Sequence, residues 1–217
     1  LGVPFIYEMR GLWAMTRAAN NPEFYGSTKY DLMMRLERQC ALEAHRVVTI
    51  SDKMRQLVAS WGVDKSKIIL LPNGVSNSET ERKVVHKKRT SGLNCGYLGS
   101  IVHYEGLETL VKAAKELQTK GIEGIRFTIV GDGKERPQIE ELASELGVHG
   151  LVEIRGNIPN DQVAKFYEEI DCIVLPRLGY DVCEMVPALK PLEAMSNGKC
   201  VISSDIGPAR ELITDRE

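Results

Sequence analysis

The sequence has no excess of charge of either sign: Lys and Arg number 28 and Asp and Glu 30 among 217 residues, a formal net charge of −2. A field that weak excludes a general nucleic-acid binder, whose affinity comes from many neutralised phosphates. Long apolar runs are also missing. Stretches such as Cys172-Ile173-Val174-Leu175 fall far short of the roughly 20 residues that cross a bilayer. The opening Leu1-Gly2-Val3-Pro4 has neither the basic start nor the small-residue cleavage site of a secretory leader. The cysteines (Cys40, Cys95, Cys172, Cys183, Cys200) are odd in number and include no C-x-x-C pair, which argues against a disulfide scaffold or a zinc site and fits a reducing compartment. No His/Cys cluster has metal-ligand spacing, so no metal is expected. Neither Gly96-Tyr97-Leu98-Gly99 nor Val130-Gly131-Asp132-Gly133 completes G-x-G-x-x-G, because Arg136 takes the third glycine's place in the second; dinucleotide binding is disfavoured. No G-x-S-x-G elbow is present either.

What is present is ordinary globular composition, 43% hydrophobic and 27% charged. Short β-branched runs alternate with longer amphipathic stretches, the pattern of a parallel sheet wound with helices. Strands are expected at 4–8, 47–50 and 68–71, with a loop between the first strand and residue 28. Helices are expected at 29–45, where Leu32, Leu36, Cys40 and Ala44 recur at period four, and at 52–60, capped by Ser51 and stopped by Gly62. Residues 75–92 differ. They are polar, and Arg82, Lys83, Lys87, Lys88 and Arg89 crowd a short segment without an apolar face, which reads as a solvated linker. From Leu93 onward strands near 93–98, 125–130, 151–155, 171–175 and 200–203 alternate with helices near 106–119, 134–146, 160–169, 189–197 and 207–213. That is a run of βα units with right-handed connections. The expected architecture is α/β, two Rossmann-like lobes with parallel sheets: 1–74, a linker over 75–92, and 93–217. The chain opens on a strand without Met and stops at Glu217 with no closing element, so it is expected to be a fragment, the first lobe incomplete at its N-terminus and the second at its C-terminus.

In open α/β sheets ligands bind beyond the carboxyl ends of the strands, so the loops after each strand are the places to search. The loop from Gly99 and Ser100 to Gly106, and the Gly131-Asp132-Gly133 turn, each admit either a phosphate or a tight βα turn. The strongest constellation is Pro176-Arg177 followed by Glu184 to Gly198, in which Pro191 suits a first helical turn and Gly198 closes the helix. The start of that helix, with Lys190 and Arg177 nearby, fits a diphosphate. Glu193, one turn on and on the face of Lys190, could accept from two ribose hydroxyls, and Glu184 could hold a sugar. Spacing alone leaves an even alternative: a surface lysine, and an acid that any helix start favours. Of the histidines, His45, His86 and His149 read as structural or solvated, and only His103 is placed to touch a ligand.

Taken in order, several stretches carry a resemblance. Val48-Thr49-Ile50-Ser51, Ile68-Ile69-Leu70-Leu71-Pro72-Asn73-Gly74-Val75, Ile129-Val130-Gly131-Asp132-Gly133, Gly156-Asn157-Ile158-Pro159 and Leu192-Glu193-Ala194-Met195 resemble glycosyltransferase family 4, retaining enzymes of GT-B fold that use nucleotide sugars. The resemblance implies transfer of a sugar from a nucleoside-diphosphate donor to an acceptor hydroxyl. It implies donor contacts from Gly99, Ser100, Gly131, Gly133, Arg155, Gly156, Leu189 and Glu193, and a direct part in the reaction for Glu184, Lys190 and Arg177. Two departures stand out. The family's Glu-x7-Glu becomes Glu-x8-Glu, since Met185 lies eight residues before Glu193 and Glu184 nine. The family's basic pair, in the loop after the donor lobe's first strand, falls on Ser100 and Glu105; Lys190 and Arg177 are the expected replacements. Tyr7-Glu8-Met9-Arg10-Gly11-Leu12-Trp13, Tyr104-Glu105-Gly106 and Leu189-Lys190-Pro191 are similar to a bacterial subgroup of exopolysaccharide and surface-glycan enzymes. The resemblance further implies no cofactor besides the donor, a glycan or lipid-linked acceptor, no nucleic-acid partner, and a cytoplasmic place with the option of peripheral contact at the inner membrane face. The fragment by itself is expected to be inactive. The rival reading is a non-catalytic module that only binds the nucleotide sugar.

Overall fold

The computed structural model describes residues 3–75 and 92–213. Residues 76–91 of the expected linker, with His86, lie outside the described residues. The chain divides into two compact units: Leu1–Asn73 with Gly179–Ala188 and Asp205–Glu217, and Gly74–Leu178 with Leu189–Ser204.

The first unit carries β1 (Ile6–Met9), β2 (Arg46–Thr49) and β3 (Ile68–Leu70), paired in that order and all parallel. Its helices are α1 (Trp13–Asn20), α2 (Thr28–Glu43) and α3 (Asp52–Ser60). Met9, Leu12, Val47, Ile50, Met54 and Val58 form the core. The start of α3 is fixed by Ser51, whose buried hydroxyl accepts from Met54 N at 3.1 Å and donates to the carbonyl of Met185. Ser51→Ala therefore loses an N-cap and leaves the partly buried Met185 carbonyl without its donor, an expected cost of about 1–2 kcal/mol, read from the denaturant midpoint.

Two expectations for this unit change. Residues 13–20, read as loop, form α1. The Gly and Asn residues that suggest a loop fall at its ends (Gly11, Asn20, Asn21), while Ala14, Ala18 and Ala19 inside it are good helix formers and are buried. Helix α2 forms as expected, but three members of its period-four stripe face outward: Leu32 and Leu36 are 54% and 52% exposed and Cys40 is exposed, whereas the fourth, Ala44, and its neighbour on the core side, Ala41, are buried.

The second unit holds five parallel strands, β4 (Leu93–Leu98), β5 (Ile125–Val130), β6 (Val152–Arg155), β7 (Cys172–Leu175) and β8 (Cys200–Ser203), in the order β6-β5-β4-β7-β8. Helices α4 (Leu107–Thr119), α5 (Arg136–Glu145) and α6 (Val163–Glu169) connect them. Buried strands with near-continuous apolar sequence mark a sheet covered on both faces, and Tyr97, Ile129, Ile173 and Leu175 pack here with Leu110 and Val111 of α4. Cys95 and Cys172 face each other across paired strands, sulfur to sulfur at 3.3 Å, and are buried, as is Cys183; Cys200 is exposed.

The chain then leaves and re-enters. Residues 179–188, including the short α7 (Asp181–Met185), group with the first unit, α8 (Lys190–Ser196) with the second, and α9 (Gly207–Leu212) with the first. Among the described residues no helix is long and apolar enough to cross a membrane.

Candidate active site at the strand ends of the second unit

Strand order reverses at β4. The chain moves outward from β4 to β5 and β6 on one side, then returns to place β7 and β8 on the other. Such a switch point leaves a crevice at the carboxyl ends of the two central strands, because their following connections run to opposite sides. Strands β4 and β7 pair through Cys95–Cys172 and Gly96–Ile173. The loops after them, 99–106 and 176–178, meet at the crevice: Leu178 N donates to Tyr104 O at 2.9 Å.

Glu105 lies at the centre of that meeting. It is 4% exposed, an expensive position for a charge unless cations and donors surround it. Lys190 Nζ lies 3.1 Å from Oε2, and Arg177 Nε 3.3 Å from Oε1. The Tyr97 hydroxyl faces Glu105 Oε2 at 3.1 Å and Ser100 O at 2.8 Å, two acceptors that share its single proton. Burial, and then the Glu105 carboxylate, push the Tyr97 hydroxyl far above the usual tyrosine range, so it serves as a fixed donor. Arg177 is 8% exposed and its guanidinium lies 5.5 Å from the Tyr104 ring centroid; Lys190 Nζ lies 4.9 Å from that of Tyr97. Thus Lys190 and Arg177 converge on one buried acid.

Glycine makes room for this arrangement. At Gly99 a Cβ would sit 2.3 Å from Cε of Lys190, whose side chain crosses the loop to reach Glu105. At Gly131, with φ +148°, a Cβ would fall 1.8 Å from the carbonyl oxygen of Gly99. The loops after β4 and β5 are thereby zipped backbone to backbone. Gly99 N donates to Val130 O, Ile101 N to Asp132 O, Gly131 N to Arg155 O, and Gly133 N to the Asp132 carboxylate. These glycine N–H groups are spent on loop packing, so the two glycine turns are structural walls of the crevice. Ser100 is exposed and offers its side chain at the rim.

The remaining expected residues lie as follows. Leu189 is the N-cap of α8 and is 46% exposed. Glu193, half-buried on α8, accepts from the Tyr167 hydroxyl at 3.2 Å; burial and the Glu193 carboxylate raise that tyrosine well above its usual range. Arg155 is held by Glu153 at 2.9 Å through Nε and Nη2, and by Glu169 at 2.7 Å through Nη1. Gly156 comes next, where an added Cβ would lie 3.4 Å from Nη1 of Arg136. Glu184 belongs to the first unit, where its carboxylate accepts from Gly207 N at 2.8 Å and caps α9. His103 lies 3.9 Å from Glu135 at the outer edge of the loop. Glu105, Tyr97 and Tyr167 are additions to the expected set. The signal for Glu105 is an acid where a base is expected, with a Lys and an Arg displaced to other segments.

A parallel α/β unit with charged side chains gathered at its switch point belongs to the doubly wound class, whose ligands bind beyond the carboxyl ends of the strands. The chain belongs to the glycosyltransferase group 1 family, the GT4 enzymes of GT-B fold: the family model described as glycosyl transferases group 1 matches residues 78–217, and that of the glycosyl transferase 4-like domain matches 1–74. Among curated relatives, D-inositol 3-phosphate glycosyltransferase of Nocardia farcinica is 28% identical over 192 residues, covering 82% of this chain and 42% of its own. Sucrose-phosphate synthase from Thermosynechococcus elongatus superposes with a TM-score of 0.75 at 21% identity, over 100% of this chain and 54% of that one. Anabaena HepE in complex with UDP and glucose superposes with a TM-score of 0.69 at 17% identity, over 97% and 55%. The chain spans about half the length of the curated relatives it matches.

Proposed function

We propose that this chain is part of a retaining glycosyltransferase that moves a sugar from a nucleoside-diphosphate donor to an acceptor hydroxyl, in bacterial glycan or exopolysaccharide synthesis. The observation that carries the reading is the convergence of Lys190 and Arg177 at the β4/β7 switch point, with Glu193 one turn along α8. Breaking the glycosidic bond builds positive charge on the sugar ring and negative charge on the departing diphosphate. Lys190 and Arg177 are already held in place by Glu105, so they stabilise the leaving group without reorganising, the form of electrostatic help that favours the transition state. Glu193 takes the ribose hydroxyls, oriented by the Tyr167 hydroxyl. Arg155, Gly156 and the Gly131–Gly133 turn border the nucleoside, and Ser100 and Leu189 border the diphosphate. The family resemblance gives the donor sugar to Glu184, which stands one residue outside the Glu-x7-Glu spacing. Neither a cofactor nor a metal enters this reading, and the acceptor is a glycan or a lipid-linked sugar at the inner membrane face.

In the protein at its natural length, Glu193→Gln is expected to abolish transfer, measured as release of the nucleoside diphosphate. The anomeric proton of the product, read by NMR, is expected to keep the donor's configuration. Wild-type turnover in the variant, or an inverted anomer, overturns the assignment it addresses.

A further inference from the structure

Glu105 is the least accessible charged group of the crevice, and no step of the transfer calls for an acid there. We propose that Glu105 is a positioning residue: it holds the Lys190 ammonium over Gly99 and the Arg177 guanidinium at the end of β7, so that two cations from separate segments act as one preorganised site for a diphosphate. The proposal rests on the diphosphate reading above and deepens it.

Three observations support it. Lys190 reaches Glu105 across a loop that carries glycine where any Cβ would meet its Cε at 2.3 Å, so the path of the side chain is built into the backbone. Both oxygens of the carboxylate are used, Oε2 by Lys190 and Tyr97 and Oε1 by Arg177, which fixes the rotation of the carboxyl group as well as its position. Tyr97 is fully buried and bonded to Ser100 O, so the anchor is tied to the core of the sheet. Two cations drawn together without an anion between them would repel and rotate outward. One carboxylate beneath them cancels that repulsion and leaves the cluster of three charges with a sum of +1, facing a crevice where a diphosphate brings the balancing charge.

A residue that acts by positioning should affect turnover through its partners and leave ground-state attraction intact. The probes are UDP, GDP, ADP and dTDP, titrated calorimetrically into the protein at its natural length, followed by turnover with the sugar of whichever nucleotide binds. Glu105→Gln removes a negative charge from the cluster, so that nucleotide is expected to bind at least as tightly as to wild type, while kcat falls roughly tenfold or more with a smaller change in KM. Glu105→Asp, which keeps the charge but withdraws it by one methylene, should recover part of kcat, and it carries the test if the glutamine variant does not fold. In a Lys190→Ala background, Glu105→Gln should lower kcat by a smaller factor than it does in the wild type, because one of its two routes of action is already gone and only that through Arg177 remains. Full, independent losses in that background, or wild-type kcat in both Glu105 variants, overturn the positioning role. Unchanged nucleotide binding in Lys190→Ala, or no binding of any probe by the wild type, instead overturns the diphosphate reading beneath it, and the proposal with it.

Discussion

Replacing Lys190 with alanine is expected to cut turnover by roughly 10²–10³-fold, the scale seen when one preorganised donor to a developing anion is removed. The Lys190 stem lies over Gly99, and the loss is expected through the charge it carries. Its ammonium is held by Glu105 and lies beside the Tyr97 hydroxyl at the mouth of the crevice. Its removal leaves Glu105 still paired with Arg177, so the buried acid keeps a cation and the unit stays folded. The loss should therefore appear in kcat and in nucleotide affinity, with the thermal midpoint of the unliganded protein little changed. Arg177→Ala is the harsher change to the fold, since Arg177 is the more deeply buried of the two cations. Wild-type turnover in Lys190→Ala would mean that the diphosphate is neutralised elsewhere.

The second large effect is on stability. Gly131→Ala is expected to destabilise the second unit by about 3 kcal/mol or more, from two sources that add. The residue sits at φ +148°, a conformation that residues with a Cβ rarely adopt, and the new methyl group would lie 1.8 Å from the carbonyl oxygen of Gly99. That oxygen belongs to backbone and cannot swing aside as a side chain could. Relief would require the loops after β4 and β5 to part, breaking the bonds from Gly99 N to Val130 O and from Ile101 N to Asp132 O. A chemical denaturation curve with an unchanged slope and a lower midpoint would confirm the loss. Unaltered stability would show that this zipper is not what fixes the crevice wall.

Much of the fold is legible in the sequence. The strands at 93–98 and 125–130 can be placed to the residue, because strands covered on both faces are short apolar runs bounded by glycine. Ser51 is legible as a cap for the same local reason. Helix α1 is not, because a punctuating glycine or asparagine reads alike at a helix end and in a loop. The face of α2 is not either: periodicity marks a helix, but only tertiary packing decides whether Leu32 and Leu36 or Ala41 meets the core. The same limit applies at the site. Lys190 and Arg177 can be picked out as cations near a helix start, whereas their meeting on Glu105 joins residues 85 apart in the case of Lys190, a separation at which no periodicity operates. The local function of Glu184, as a cap for Gly207, likewise depends on a contact from 23 residues away.

The central claim is that the switch-point crevice of the second unit binds a nucleoside-diphosphate sugar. The most direct measurement is the thermal midpoint of the protein at its natural length against UDP-, GDP-, ADP- and dTDP-sugars. A ligand that binds only the folded state adds about 2.7 kcal/mol at a hundredfold excess over its Kd, and hence an upward shift of several degrees. The account predicts such a shift with one nucleotide, its loss in Glu193→Gln and its reduction in Lys190→Ala. A shift that survives both substitutions, or none with any of the four on folded protein, would contradict it.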